Sequence, residues 1–80
     1  MNTYEETKNR IFQLLEQERI SIHGLAIRSG VAPSTIKNVL YGKSQNPGIV
    51  TIKLICDGFG ISLFDFFNAT QFQSNDPEDE

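Results

Sequence analysis

Eighty residues with 39% apolar side chains and a net charge of −3 make one small domain, large enough to fold alone, with little core to spare and no room for a separate effector-binding domain. The single cysteine, Cys56, excludes an internal disulfide and fits a reducing compartment. No apolar run approaches the ~20 residues of a bilayer span, and the opening MNTYEETKNR is polar and acidic where a signal peptide is basic and then apolar, so a soluble cytoplasmic protein without membrane contact is expected.

Thr3 followed by Glu6 forms a capping box, which predicts a first helix from Tyr4 to about Gln17. Its apolar face is Ile11, Phe12, Leu14 and Leu15, and Glu6 and Arg10 stand outside it at a stabilising i, i+4 spacing. This helix reads as scaffold. Ser21 is a good N-cap for a second helix that turns Ile22, Leu25, Ala26 and Ser29 inward and His23, Gly24, Ile27 and Arg28 outward. Gly24 lowers helix propensity by about 1 kcal/mol relative to alanine. The backbone N–H groups where this helix starts, at Ser21, Ile22 and His23, offer a phosphate site through the helix N-terminal field. His23 is the only histidine, so a metal site or a catalytic triad has no partners to recruit. Gly30 supplies the positive φ needed for a sharp helix exit.

Pro33, with its fixed φ and missing N–H, suits the first position of a third helix over about 33–41, although Ala32 brings no side-chain cap. Ile36, Val39 and Leu40 face the core; Ser34, Lys37, Asn38 and Tyr41 point outward, with Thr35 on the flank. That outer face carries base-reading chemistry. Asn38 can hydrogen-bond adenine bidentately, Lys37 can donate to guanine or phosphate, and Ser34 and Thr35 are short, adaptable partners. Gly42 is expected to end the helix as a C-cap, and Lys43, Ser44 and Asn46 supply donors in a loop closed by Pro47, placed to grip a phosphate backbone.

A fourth helix from about Ile49 to Phe59 turns Ile49, Ile52, Ile55, Cys56 and Phe59 inward, making Cys56 a small core residue rather than a nucleophile. Gly58 and Gly60 bracket its end. Ser62 caps a last short helix, LFDFF, in which Ile61, Leu63, Phe66 and Phe67 close the core. Val50, Leu54 and Phe64 are left as surplus apolar surface, a candidate homodimer interface. The residues from Thr70 to Glu80 are polar, acidic and unpatterned, and read as a disordered tail behind a folded domain of residues 1–69.

Charge is unevenly spread. Asp76, Glu78, Asp79 and Glu80 hold four negatives within the last five residues, whereas the span from Arg19 to Cys56 contains Arg19, Arg28, Lys37, Lys43 and Lys53 and no carboxylate. A surface that faces a polyanion has that composition, because each nearby carboxylate weakens binding.

Ala26, Gly30, Ile36 and Val39 follow the spacing A-x3-G-x5-I-x2-V of two helices folded across a tight turn. With LAxxSGV, PSTI, Gly42-Lys43 and the later Pro47, the stretch from Arg10 to Phe67 resembles the helix-turn-helix family of Cro and the phage repressors. The resemblance implies an all-α, compact five-helix, lambda-repressor-like DNA-binding domain whose motif occupies residues 21–43. It also implies that Pro33, Ser34, Thr35 and Asn38 stand at base-reading positions, with Lys37 between them. Members of that family often place a glutamine where Ile22 stands, to brace a phosphate and a recognition side chain; here that residue is an isoleucine.

Two functions follow as expectations. The first is a sequence-specific regulator of transcription, prokaryotic or phage-like, associated with the nucleoid. It would set helix three of each subunit of a homodimer into the major groove of a palindromic operator on double-stranded DNA, with bases read by Pro33, Ser34, Thr35, Lys37 and Asn38. The backbone would be held by Ser21, Ile22, His23, Arg28, Tyr41, Lys43, Ser44 and Asn46. The second is a protein-interaction module that keeps the fold without specific DNA binding, using Ile27, Val50, Leu54 and Phe64. One histidine, one core cysteine and no clustered carboxylates leave an enzyme without its chemistry, and no metal, cofactor or small-molecule ligand is expected.

Overall fold

The computed structural model describes residues 2–73, which form five α-helices and a closing 3-10 turn, with no strand among them. Helix α1 (Thr3–Glu18) starts one residue earlier than the capping box predicts, because Asn2 is the cap: its Oδ1 accepts from the Glu5 N–H at 2.8 Å. Thr3 is the first helical residue, and its carbonyl accepts the Thr7 hydroxyl at 2.8 Å. The helix ends on Arg19 in the left-handed region (φ 55°), where the Arg19 and Ile20 N–H groups turn back to the carbonyls of Glu16 and Leu15.

Helices α2 (Ile22–Ser29) and α3 (Pro33–Leu40) start where Ser21 and Pro33 predict and are joined through Gly30 at φ 74° and the buried Val31. Helix α4 (Ile49–Phe59) then packs across α2, and the tight crossing falls at Gly58. A Cβ there would stand 2.9 Å from the Ser29 Cβ and 3.0 Å from a Leu25 methyl. Gly58 therefore belongs to the packed body, and Gly60, at φ 75°, ends the helix. Helix α5 (Leu63–Phe67), capped by Ser62, drives Phe66 fully into the core.

The core gathers side chains from all five helices: Ile11, Leu14 and Leu15; Leu25 and Ala26; Ile36, Val39 and Leu40; Ile52, Ile55, Cys56 and Phe59; and Phe66. Three expectations change. Ile49, expected inside, is 63% exposed: it stands in the first turn of α4, bordered by Pro47 and by α1's first turn rather than covered by a helix. Phe12, at the rim of the core face, lays its ring against Tyr41 instead of entering the interior. Arg10 spends its charge on α5 rather than on Glu6. Its Nε and Nη2 donate to the carbonyls of Phe66 (2.8 Å) and Asp65 (2.9 Å), its Nη1 to Gln13, and its guanidinium lies over the Phe66 ring. Carbonyls near a helix C-terminus lack partners in the helix itself and attract a cation.

The folded part also runs past residue 69. Thr70–Phe72 forms a 3-10 turn in which Phe72 packs on Phe66 and Phe67, while Gln71 Nε2 donates to Gln13 Oε1 at 2.8 Å. The aromatic at position 72 has an apolar surface to cover, which outweighs the polar composition around it. The rest of the tail read as disordered, residues 74–80, lies outside the described residues.

Candidate nucleic-acid interface

The outer face of α3 follows from which of its residues the core claims. Ile36, Val39 and Leu40 are buried, so on a 3.6-residue period Pro33, Ser34, Thr35 and Lys37 fall outside, and all four are exposed. Asn38 is half-buried and sits between Ser34 and Tyr41 on the exposed face. Its backbone carbonyl accepts the Ser44 N–H at 2.8 Å, which folds the following loop back against the end of the helix. Helix α3 stops one residue short of the expected end: Tyr41 is the C-cap and Gly42, at φ 89°, makes the turn after it.

That turn gathers the backbone-gripping candidates. Lys43 and Asn46 are exposed, Ser44 is half-buried, and Gln45 Nε2 donates to the Gly42 carbonyl at 3.1 Å, bracing the loop. Tyr41 is exposed and rests on Phe12 with ring centroids 6.3 Å apart. At the other end of the motif, the Ser21 Oγ accepts from the Gly24 N–H at 2.9 Å, and its own hydroxyl proton remains available to an acceptor. Ile22 is half-buried and His23 is exposed beside that cap. Gly24 has a structural use besides its low helix propensity: a Cβ there would press to 3.3 Å on the capping hydroxyl.

His23 and Arg28 are both exposed on α2, but five helical residues apart they point about 140° from each other. A single phosphate strand running beside α2 meets one of them more closely than the other. Of the cations in the carboxylate-free span, Lys53 is paired with Asp57 on α4, whereas Arg28, Lys37 and Lys43 make no ion pair among the described residues. Three cations on the motif and its loop, on a chain of net charge −3, are thus left without a neutralising carboxylate among the described residues.

A model of the Cro/C1-type helix-turn-helix DNA-binding domain matches residues 10–71. The chain belongs to that family. No curated protein and no solved structure matches it. Membership makes DNA the partner of the domain, and the matched stretch reaches into the 3-10 turn.

Sequence reasoning missed one residue at this site, Tyr4. Its hydroxyl donates to the Val39 carbonyl at 2.7 Å, and it forms part of a shallow depression shared with Gln45, Asn46 and Pro47. The available signal was the row Tyr4, Lys8, Phe12 at i, i+4, i+8, which places two aromatic rings along one side of α1. The proposed dimer residues Val50, Leu54 and Phe64 are exposed, Phe64 by 73%. Cys56 is fully buried, and burial, followed by the nearby Asp57 charge, pushes its thiol pKa up, so it stays protonated at neutral pH. Among the described residues no three metal-binding side chains cluster, and no helix is long and apolar enough to cross a membrane.

Proposed function

We propose that this protein is a sequence-specific regulator of transcription that inserts α3 into the major groove of double-stranded DNA. The observation that carries the reading is the outer face of α3: Ser34, Thr35 and Lys37 exposed, Asn38 beside them, and no carboxylate between Arg19 and Cys56. In this reading Asn38, Lys37, Thr35, Ser34 and Pro33 meet base edges. The α2 start at Ser21, Ile22 and His23, Arg28, and the segment carrying Tyr41, Lys43, Ser44 and Asn46 hold the phosphates on either side. Such a face contacts only a few phosphates, so a second subunit bound one helical turn away, about 34 Å, adds the affinity that one lacks and makes the operator palindromic. Val50, Leu54 and Phe64 supply the apolar surface for that homodimer. Function on DNA places the protein in the cytoplasm, on the nucleoid.

Selection from random duplexes at near-physiological salt tests this. Recovery of a palindromic motif is expected. Asn38→Ala should relax preference at one base of each half-site by about 1–3 kcal/mol. Lys43→Ala should weaken all duplexes evenly and lower the salt slope by about one. Enrichment of no motif at low or moderate salt would sink the proposal. It would favour the second reading, a protein-interaction module, which draws on the exposed Ile27 and on isoleucine at position 22.

A further inference from the structure

We infer that Tyr4 is a positioning residue for DNA recognition, setting both the C-terminal end of α3 and the loop that follows it; the inference rests on the DNA-binding reading above. Helix α3 has no side-chain cap at its start; at its end Lys37 stands in the last turn, and the Tyr41 and Ser44 N–H groups take the carbonyls of Lys37 and Asn38. The last carbonyls of a helix need an outside donor. Tyr4 supplies one from α1: its hydroxyl donates to the Val39 carbonyl at 2.7 Å, across 35 residues of sequence.

The same hydroxyl reaches past α3. It lies 3.9 Å from where a Cβ on Gly42 would stand, and the tyrosine forms one wall of the depression whose other side is Gln45, Asn46 and Pro47. One phenol therefore borders the last turn of the reading helix, the left-handed turn and the loop that offers Lys43, Ser44 and Asn46 to phosphates. One neighbour lies over its ring. Lys8 Nζ lies 5.7 Å from the centre of the Tyr4 ring and is itself tied to Glu5 at 3.2 Å. One turn further along α1, Phe12 meets the ring of Tyr41, the C-cap of α3. Tyr4 and Phe12 together tie the C-terminal end of α3 to α1, Tyr4 through the Val39 carbonyl and Phe12 through the Tyr41 ring.

Base readout and phosphate contacts must be made at once, so their relative placement decides how much of the free protein is ready to bind. A protein whose competent form is only partly populated binds more weakly by that fraction. Removing the Tyr4 hydroxyl takes away one hydrogen bond, worth roughly fivefold in an equilibrium, and keeps the ring that packs against the core.

The test is Tyr4→Phe in the full chain, assayed well below its melting temperature on the duplex selected by the wild type and on a scrambled duplex. The expected result is a loss of roughly fivefold on the selected duplex and little change on the scrambled one, together with faster hydrogen exchange at Tyr41 and Ser44. A purely structural role moves the melting temperature and leaves both affinities unchanged, and that outcome overturns the inference. If Tyr4→Phe does not fold, Phe12→Ala at its partly exposed site carries the test: a loss on the selected duplex alone supports the joint, and wild-type discrimination refutes it. A wild type that selects no duplex sinks the DNA-binding reading instead, so the two failures are distinguishable.

Discussion

The two helices of the motif are both eight residues long, and they are held in opposite ways. Helix α2 secures its own ends: Ser21 caps its start, Gly30 ends it in a left-handed turn, and Ser29 and Leu25 bed against Gly58 of α4. Helix α3 has no side-chain cap at Ala32, and the turn through Tyr41 and Gly42 that closes its end is joined by a donor from another helix. It is fixed by Pro33, by three buried side chains and by α1 through Tyr4. Of its outward residues only Tyr41 packs on a neighbouring ring, that of Phe12. Ser34, Lys37 and Asn38 are free to be chosen for what they bind.

The sharpest way to break the comparison is at Gly58. Gly58→Ala places a Cβ 2.9 Å from that of Ser29, with the Ser29 backbone only 3.2 Å away, so a helix must move. The expected cost is about 1–3 kcal/mol despite alanine's better helix propensity. Thermal unfolding should show it as a fall of several degrees, since about 1 kcal/mol shifts a domain of this size by about 4–8 °C. An unchanged or higher midpoint would show that the α2–α4 crossing relaxes freely.

The caps come next. Ser21→Ala should cost about 1 kcal/mol by leaving the Gly24 N–H without its acceptor. Ala32→Ser should do the reverse at α3: the residue is already extended, at φ −59° and ψ 140°, and a hydroxyl there gains up to about 1 kcal/mol. Urea unfolding of the two variants and the pair measures both. Equal effects of one sign would mean that the two helix starts do not differ as described.

The same contrast explains what the sequence could and could not reveal. Local rules, which act over three or four residues, located the Ser21, Gly30, Pro33, Gly60 and Ser62 boundaries, and periodicity found the inward faces of α2 and α3. The first cap was misplaced by one residue because Asn2 and Thr3 are both competent and only geometry chooses between them. The misses are long-range. Arg10 reaches Asp65 and Phe66, Tyr4 reaches Val39, and Phe72 returns to Phe66, each across more than five residues of chain where no spacing rule applies. Ile49 failed for a related reason: a helical wheel assigns a face but not how far the neighbouring helix extends along it.

The smallest expected effect separates the two helices by the solution variable each answers to. The α3 face carries unpaired Lys37 and, beyond it, Lys43, so its binding responds to salt. The body beneath α2 holds Cys56, whose thiol pKa is raised, first by burial and then by Asp57, with Lys53 and Arg10 acting in the other direction. A raised pKa means that the folded chain keeps the thiol proton more tightly than the unfolded chain does. The contribution is therefore complete below the ordinary thiol range, about pH 8.5, and is lost as pH rises above it and the unfolded chain ionises first. Urea unfolding between pH 7 and 10 should show wild-type stability falling more steeply than that of Cys56→Ala, in which tyrosines and lysines titrate alike but no thiol does. Parallel curves would mean that Cys56 ionises as readily in the core as in water, which its complete burial opposes.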